Sequence, residues 1–262
     1  MSLPSVISEN RDGVFIISLN RPESKNAFDL EMRALLAEKI YEARDIQSVR
    51  AVIIRGEGTA FCAGGDLKSL SEEDRPIFRD RERIRRLHIW FRELVNLEKP
   101  TIAAVDGPAF GAGFNLALAC DFIIGTPTAR FAAVFSRIGL VPDLGGFFLL
   151  PRIVGLQRAK ELVFSAREIS AEEALGLGIL HSVVPSESLF EAALNLASHF
   201  ANASTDALGI AKNILNRSFN LDQDTLAELE SSAQAMAIHS DYHREAVARF
   251  LSKQPMRFQW RP

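Results

Sequence analysis

Cysteine is scarce in this chain, with two in 262 residues. Neither Cys62, in GTAFCAGGDL, nor Cys120, in ALACD, has the paired spacing of a zinc site or a redox motif, so no disulfide framework and no metal site is expected. Both are read as reduced, buried, small hydrophobes. An excess of charge of one sign is lacking too: 30 Lys and Arg stand against 33 Asp and Glu, a formal net charge of −3. That balance offers no global field for nucleic acid or an anionic membrane, and a small acidic metabolite would need a local basic site. No apolar run approaches the ~20 residues of a membrane helix. The opening MSLPSVISENRDG lacks the basic start and apolar core of a secretory leader. A soluble cytoplasmic protein is the expectation.

What is present is a large apolar fraction, 47% of residues, enough for one large domain or two modest ones. VFIISLN (14–20), VRAVIIRG (49–56), TIAAVDG (101–107) and FIIG (122–125) read as strands. DLEMRALLAEKIYEAR repeats its apolar residues at Met32, Leu35, Leu36 and Ile40 and reads as a helix capped by Asp29. Strands alternating with helices over the first ~185 residues predict an α/β domain with parallel strands buried on both faces. Between Glu72 and Glu98 an arginine-rich helix is expected, with Ile84, Leu87, Phe91 and Leu94 as its apolar stripe and the arginines mainly on a solvated face. From about Pro185 helical spacing takes over. The expected division is a core over residues 1–195 and a helical region over 196–262.

Three segments carry chemistry-bearing patterns. GTAFCAGGDL (58–67) follows a strand with small residues that let a ligand approach the backbone, so main-chain N–H groups can serve as donors. AAVDGPAFGAGFNLALACD (103–121) enters a glycine-rich turn and then a helix beginning near Gly111 to Phe114. The first turn of that helix has unpaired N–H groups suited to an oxygen gaining negative charge. Gly107, Gly111 and Gly113 do not make the GxGxxG of a dinucleotide site. GLVPDLGGFFLLP (139–151) holds one acid, Asp143, in an apolar run. It either caps a helix or turn there, or is a carboxylate of raised pKa set for proton transfer.

Together these segments resemble the crotonase superfamily, the enoyl-CoA hydratases and isomerases. LNRPESKNAF, FCAGGDL, KPTIAAVDGPAFGAGFNLALACD, the PRIVG step and SAREISAEEALGLGIL ending in HSVVP fall in family order, from the start of the chain to FLSKQPMRF near its end. The resemblance implies a β-β-α spiral, a helical C-terminal region used in trimer formation, and trimers that can pair into hexamers. It implies an acyl-CoA thioester as partner, with no cofactor beyond the CoA carried by the substrate, and no nucleic acid or membrane. By alignment the oxyanion donors are the N–H groups of Gly65 and Ala112. Ala27 and the run Ala63, Gly64, Asp66 and Leu67 fall at the CoA, with Lys25 and Lys253 as candidate phosphate contacts.

Alignment also places the two glutamates of a standard hydratase at Asn115 and Phe135, neither of which can act as a base. These two, with Phe114, are expected to line the acyl pocket, and Phe147 and Phe148 are either pocket or core residues. The remaining acid, Asp143, sits where single-carboxylate Δ3,Δ2-enoyl-CoA isomerases carry theirs, with the ring-1,2-epoxyphenylacetyl-CoA isomerases closest in motif. A 1,3-proton shift with Asp143 as acid and base is the implied reaction. The alternatives are an atypical hydratase and a non-catalytic acyl-CoA- or RNA-binding member. His239 and His243 lack a third ligand and are read as surface or interface residues, and His88 and His181 have no partner legible in sequence.

Overall fold

The computed structural model describes residues 3–67 and 76–260, so the expected start of the arginine-rich helix, 72–75, lies outside the described residues. In chain order come β1 (Val6–Arg11), β2 (Val14–Leu19), α1 (Leu30–Asp45), β3 (Ala51–Gly56), α2 (Ile77–Val95), β4 (Thr101–Val105), β5 (Pro108–Phe110) and α3 (Ala112–Leu118). There follow β6 (Phe122–Gly125), β7 (Arg130–Ala132), α4 (Gly146–Val154), α5 (Leu156–Ser165), β8 (Ile169–Ser170), α6 (Ala171–Gly176), β9 (Ser182–Val183), α7 (Leu189–His199), α8 (Thr205–Leu215), α9 (Gln223–Ile238) and α10 (Asp241–Leu251).

The larger sheet runs β1-β2-β3-β4-β6-β9, parallel throughout except for the antiparallel β1–β2 edge. That edge strand is absent from the sequence reading. It is made by a two-residue turn, Asp12-Gly13, whose positive φ values of 51° and 83° match the twist that a hairpin needs. Alternation then sorts the side chains. Phe15, Ile17, Leu19, Val52, Ile54 and Ala103 face a core shared with α1 to α3, while Val14, Ile16, Ile53, Ile102 and Ala104 face Leu189, Ala193 and Leu196 of α7. The strands β2, β3, β4 and β6 are buried on both faces, as their apolar runs predict. The α7 helix packs as a layer of this core through to Phe200, so residue 195 falls inside a helix rather than at a junction.

A smaller sheet, β5-β7-β8, lies beside the first and is lengthened by single bridges pairing Cys62 with Ala109 and Phe28 with Gly65. Each pass of the chain leaves one strand in the large sheet and a short segment in the small one, in the same lateral order. This is the β-β-α spiral. Its helices form for legible reasons: Asp29 accepts a hydrogen bond from Met32 N at 2.8 Å, and α1 buries Met32, Leu36, Ile40 and Ala43. On α2 the buried stripe is Leu87, Trp90, Phe91 and Leu94, with Ile84 half-buried, and Arg85 and Arg86 stay in solvent beside Glu82. No residue of α9 or α10 is buried within the chain. Cys62 and Cys120 are both buried and unpaired, and burial pushes both thiols up to about 12. Among the described residues no helix is long and apolar enough to cross a membrane, and no group of three or more His, Cys, Asp or Glu could hold a metal ion.

Candidate active site

The small sheet sets out two main-chain donors. Phe28 N donates to Gly64 O at 2.7 Å and Asp66 N to Phe28 O at 3.0 Å, which turns the N–H of the intervening Gly65 away from that pairing. Ala112 is the first residue of α3, so its N–H has no partner inside the helix. Neither N–H finds an acceptor among the described residues. The two segments touch: a Cβ on Gly64, whose φ is +97°, would stand 2.7 Å from Phe110 O and 3.5 Å from Ala112 N. Only glycine permits that approach. Gly65 and Ala112 open into one cavity of about 710 Å³.

Asp143 lines the same cavity. It follows a 3-10 turn, Val134–Ile138, and precedes α4, on a loop in which Leu144 and Gly145 both have positive φ, 40° and 71°. A leucine in that region is strained, and it is held there by burial of its side chain, which is 2% exposed. The main chain closes the turn, with Gly146 N donating to Asp143 O at 2.9 Å. Asn115 Nδ2 donates to the same oxygen at 2.8 Å. The carboxylate does not cap α4, whose N-cap is Gly145 with no side-chain bond, and its Oδ1 is buried without a partner. Burial pushes the Asp143 carboxyl above its ordinary range; the charges of Arg33, His88 and Arg83 act against that shift.

Of the other residues marked in the sequence, Ala63, Gly64, Leu67 and Phe135 line the cavity. Phe114 does not: it is 1% exposed and packs on Phe131 at a ring separation of 5.5 Å, on the core side of α3. Asn115 is likewise outside the lining, buried behind the Asp143 loop that it ties down. Helical geometry explains both corrections, because only the first residues of α3 reach the cavity while the next turn points into the core. Phe147 and Phe148 are neither pocket nor core, and Phe147 is 62% exposed.

Around the expected CoA region, Lys25 is exposed and donates no side-chain bond, but its carbonyl accepts from Ala63 N at 2.9 Å. Ala27 O accepts from Arg21 Nη1 at 2.7 Å, and Asp66 is ion-paired to Arg21 at 3.4 Å. These contacts place the 21–27 loop against the 63–66 segment, at the side of the cavity. Lys253 is exposed beyond α10 and belongs to no part of the lining. His181 stacks edge-on against Phe122 at 5.3 Å, away from the site.

Among the described residues, sequence reasoning missed five polar residues of the wall, of which Asp80 on α2 and Arg137 in the 3-10 turn are two. Arg33 comes from α1, and Arg83 and His88 from α2, where Ile84 and Leu87 complete the lining. Their signal was helical spacing: positions 80, 83, 84, 87 and 88 form one face of α2, and that face closes the cavity.

A loose pair of backbone donors and a buried, unpartnered carboxylate in one apolar cavity is an arrangement for handling an acyl group. The family model described as enoyl-CoA hydratase/isomerase matches residues 9–261. The chain belongs to the crotonase, or enoyl-CoA hydratase/isomerase, family. Among relatives of this crotonase is the 1,2-epoxyphenylacetyl-CoA isomerase of Escherichia coli K12, 38% identical over 257 residues, with 97% of each chain covered. Mouse mitochondrial methylglutaconyl-CoA hydratase is 31% identical, over 96% of this chain and 81% of the relative. A crystal structure of an enoyl-CoA hydratase/isomerase from Cupriavidus metallidurans CH34 superposes with a TM-score of 0.94 at 40% identity, covering 100% of this chain and 98% of that one. The α/β spiral with its C-terminal helices is therefore the crotonase fold, and the resemblance read from the motifs is borne out, including its leaning toward the epoxyphenylacetyl-CoA isomerases. This crotonase acts within a family that holds both isomerases and hydratases.

Proposed function

We propose that this crotonase isomerises a Δ3-enoyl-CoA to the Δ2 isomer, with Asp143 as its single acid and base. The observation that carries the reading is the free Asp143 Oδ1 in the cavity into which Gly65 and Ala112 open their unengaged N–H groups. The thioester oxygen sits between those two donors. Asp143 takes a proton from the α-carbon, and the electron pair moves through the thioester to give a dienolate whose oxygen the N–H groups hold. Each donor contributes ~3 kcal/mol when aimed at that oxygen. The protonated Asp143 then delivers the same proton to the γ-carbon, so no net proton is gained or lost. Apolar neighbours such as Leu87, Phe135 and Leu144 keep water from the intermediate.

Support against hydration comes from the two glutamate positions, occupied by Asn115 in the core and Phe135 in the wall. Asp80, the other carboxylate among the described lining residues, is engaged by Arg83 Nε at 3.2 Å. The CoA portion of the substrate, which is the only cofactor chemistry required, lies along Ala27 and the Ala63, Gly64, Asp66 and Leu67 segment, with Lys25 and Lys253 for its phosphates. The working form is a homotrimer or homohexamer, for which the bare helices α9 and α10 and the exposed Phe219, Phe250 and Leu251 supply apolar area. The test is to assay 3-enoyl-CoA isomerisation and 2-enoyl-CoA hydration side by side in the native protein and in Asp143→Asn. Isomerisation in the native protein and its loss in the variant is the expected result. Dominant hydration favours the hydratase reading, and intact acyl-CoA binding with neither reaction favours the binding protein.

A further inference from the structure

Two residues that line the cavity each carry a buried polar atom without a partner, and the two atoms are of opposite kind. One is Asp143 Oδ1; the other is Arg33 Nη1. They do not satisfy each other, since no nitrogen of Arg33 forms an ion pair or hydrogen bond with Asp143. The neighbouring arginines differ from Arg33. Arg83 is held by Asp80, and Arg137 donates to Ala166 O at 2.7 Å. Arg33 makes one long bond, from Nη2 to Phe28 O at 3.4 Å, and leaves Nη1 shielded from water with nothing to donate to. Burial and the nearby Arg83 charge both lower the pKa of Arg33, against the opposing charges of Asp143 and Asp29, neither of which forms an ion pair with it.

On the proposed reading of the cavity as the acyl-CoA site, the thioester oxygen is taken by Gly65 and Ala112 and the reacting carbons face Asp143. Arg33 is then left for a different acceptor, carried by the acyl group itself. A guanidinium donor in a dry wall is best matched by a carboxylate, through a charge-assisted hydrogen bond. Among the described lining residues, Arg33, Arg83 and Arg137 stand against Asp80 and Asp143, one positive charge more than negative apart from His88, a balance that accommodates an anion. We propose that Arg33 is a specificity-determining residue that selects CoA thioesters whose acyl group bears a second carboxylate over those ending in a methyl group.

The test measures calorimetric binding of saturated thioesters, which have no double bond to shift, in matched pairs of four, five and six carbons: butyryl and succinyl, pentanoyl and glutaryl, hexanoyl and adipoyl. The native protein is expected to bind the dicarboxylic member at least tenfold more tightly at one or more lengths. Arg33→Met and Arg33→Gln should reduce that preference to threefold or less, Arg33→Lys should keep part of it, and affinity for the methyl-ended thioesters should change less than threefold. Equal native affinity within every pair, or a preference that survives in a neutral variant that still binds the methyl-ended thioesters, overturns the proposal. If Arg33→Met has lost all thioester binding, Arg33→Gln decides; if both have, Arg33→Lys decides, a preference as large as native counting against. A native preference without any 3-enoyl-CoA isomerisation keeps the role of Arg33 and removes the isomerase reading, whereas isomerisation without preference does the reverse.

Discussion

The two sides of the cavity are built by different means. On one side, Gly65 and Ala112 are set by the small sheet and the first turn of α3, where the ladder from Phe28 to Phe110 determines each N–H direction. On the other, Asp143 rides on a loop between a 3-10 turn and α4, with consecutive positive φ values at Leu144 and Gly145. Main-chain donors need only backbone geometry and tolerate many side chains around them. A side-chain base needs its environment as well: burial that raises its pKa, charges that limit the rise, and a tether. Asn115 is that tether, joining α3 to the Asp143 loop and so linking the two sides in one hydrogen bond of 2.8 Å.

The comparison can be broken most sharply at the base. On the proposed mechanism, Asp143→Asn should lower kcat for 3-enoyl-CoA isomerisation by roughly 10³-fold or more while acyl-CoA binding measured by calorimetry is retained, because only the proposed proton carrier is removed. On the backbone side, Ala112→Pro removes one donor at the first position of a helix, where proline is tolerated, and should lower kcat by ~10²-fold with the fold intact by circular dichroism. Cutting the tether with Asn115→Leu should have a smaller effect, about tenfold in kcat with KM nearly unchanged. It should also cost ~1–3 kcal/mol in urea unfolding, since the Leu cannot donate to the Asp143 carbonyl.

Charge tests the side-chain half alone. On the proposed mechanism Asp143 must be ionised to take the α-proton, so kcat/KM is expected to fall with decreasing pH through a midpoint above the ordinary carboxylate range, and this limb should be absent from residual activity in Asp143→Asn. The same raised pKa has a stability consequence of opposite sign to the usual paired carboxylate. The folded state prefers protonated Asp143, so its ionisation costs stability once pH exceeds the unfolded value. Asp143→Asn should accordingly be more stable than the native protein at neutral pH, with the difference vanishing in acid, as thermal unfolding across pH would read.

Much of the scaffold was legible because it rests on local chemistry. The β-branched runs became strands, Asp29 capped α1, and the 3.6-residue stripe of α2 was buried as spaced. The Asp12-Gly13 turn was also open to reading, since that dipeptide directly before the apolar run at 14–19 signals a hairpin. The site was legible where motifs bring backbone together, at Ala63 to Gly65 and at Ala112, and in the lone acid itself. It was misread where a helix face had to be chosen. Phe114 and Asn115 follow Ala112 by only two and three residues, yet α3 turns them into the core. Phe147 and Phe148, apolar and near Asp143 in sequence, lie on the outside of α4.

By itself, then, the amino-acid sequence determined the alternation of strands and helices and the family, because each depends on residue type and short-range spacing. Only the tertiary structure decided that Asp143 caps nothing, that Asn115 serves it from behind, and that Arg33 and His88 share its cavity. Those relations join α1, α2, α3 and the Asp143 loop across long stretches of chain. Burial and electrostatics between such segments exist only after the sheet has stacked its helices against one another.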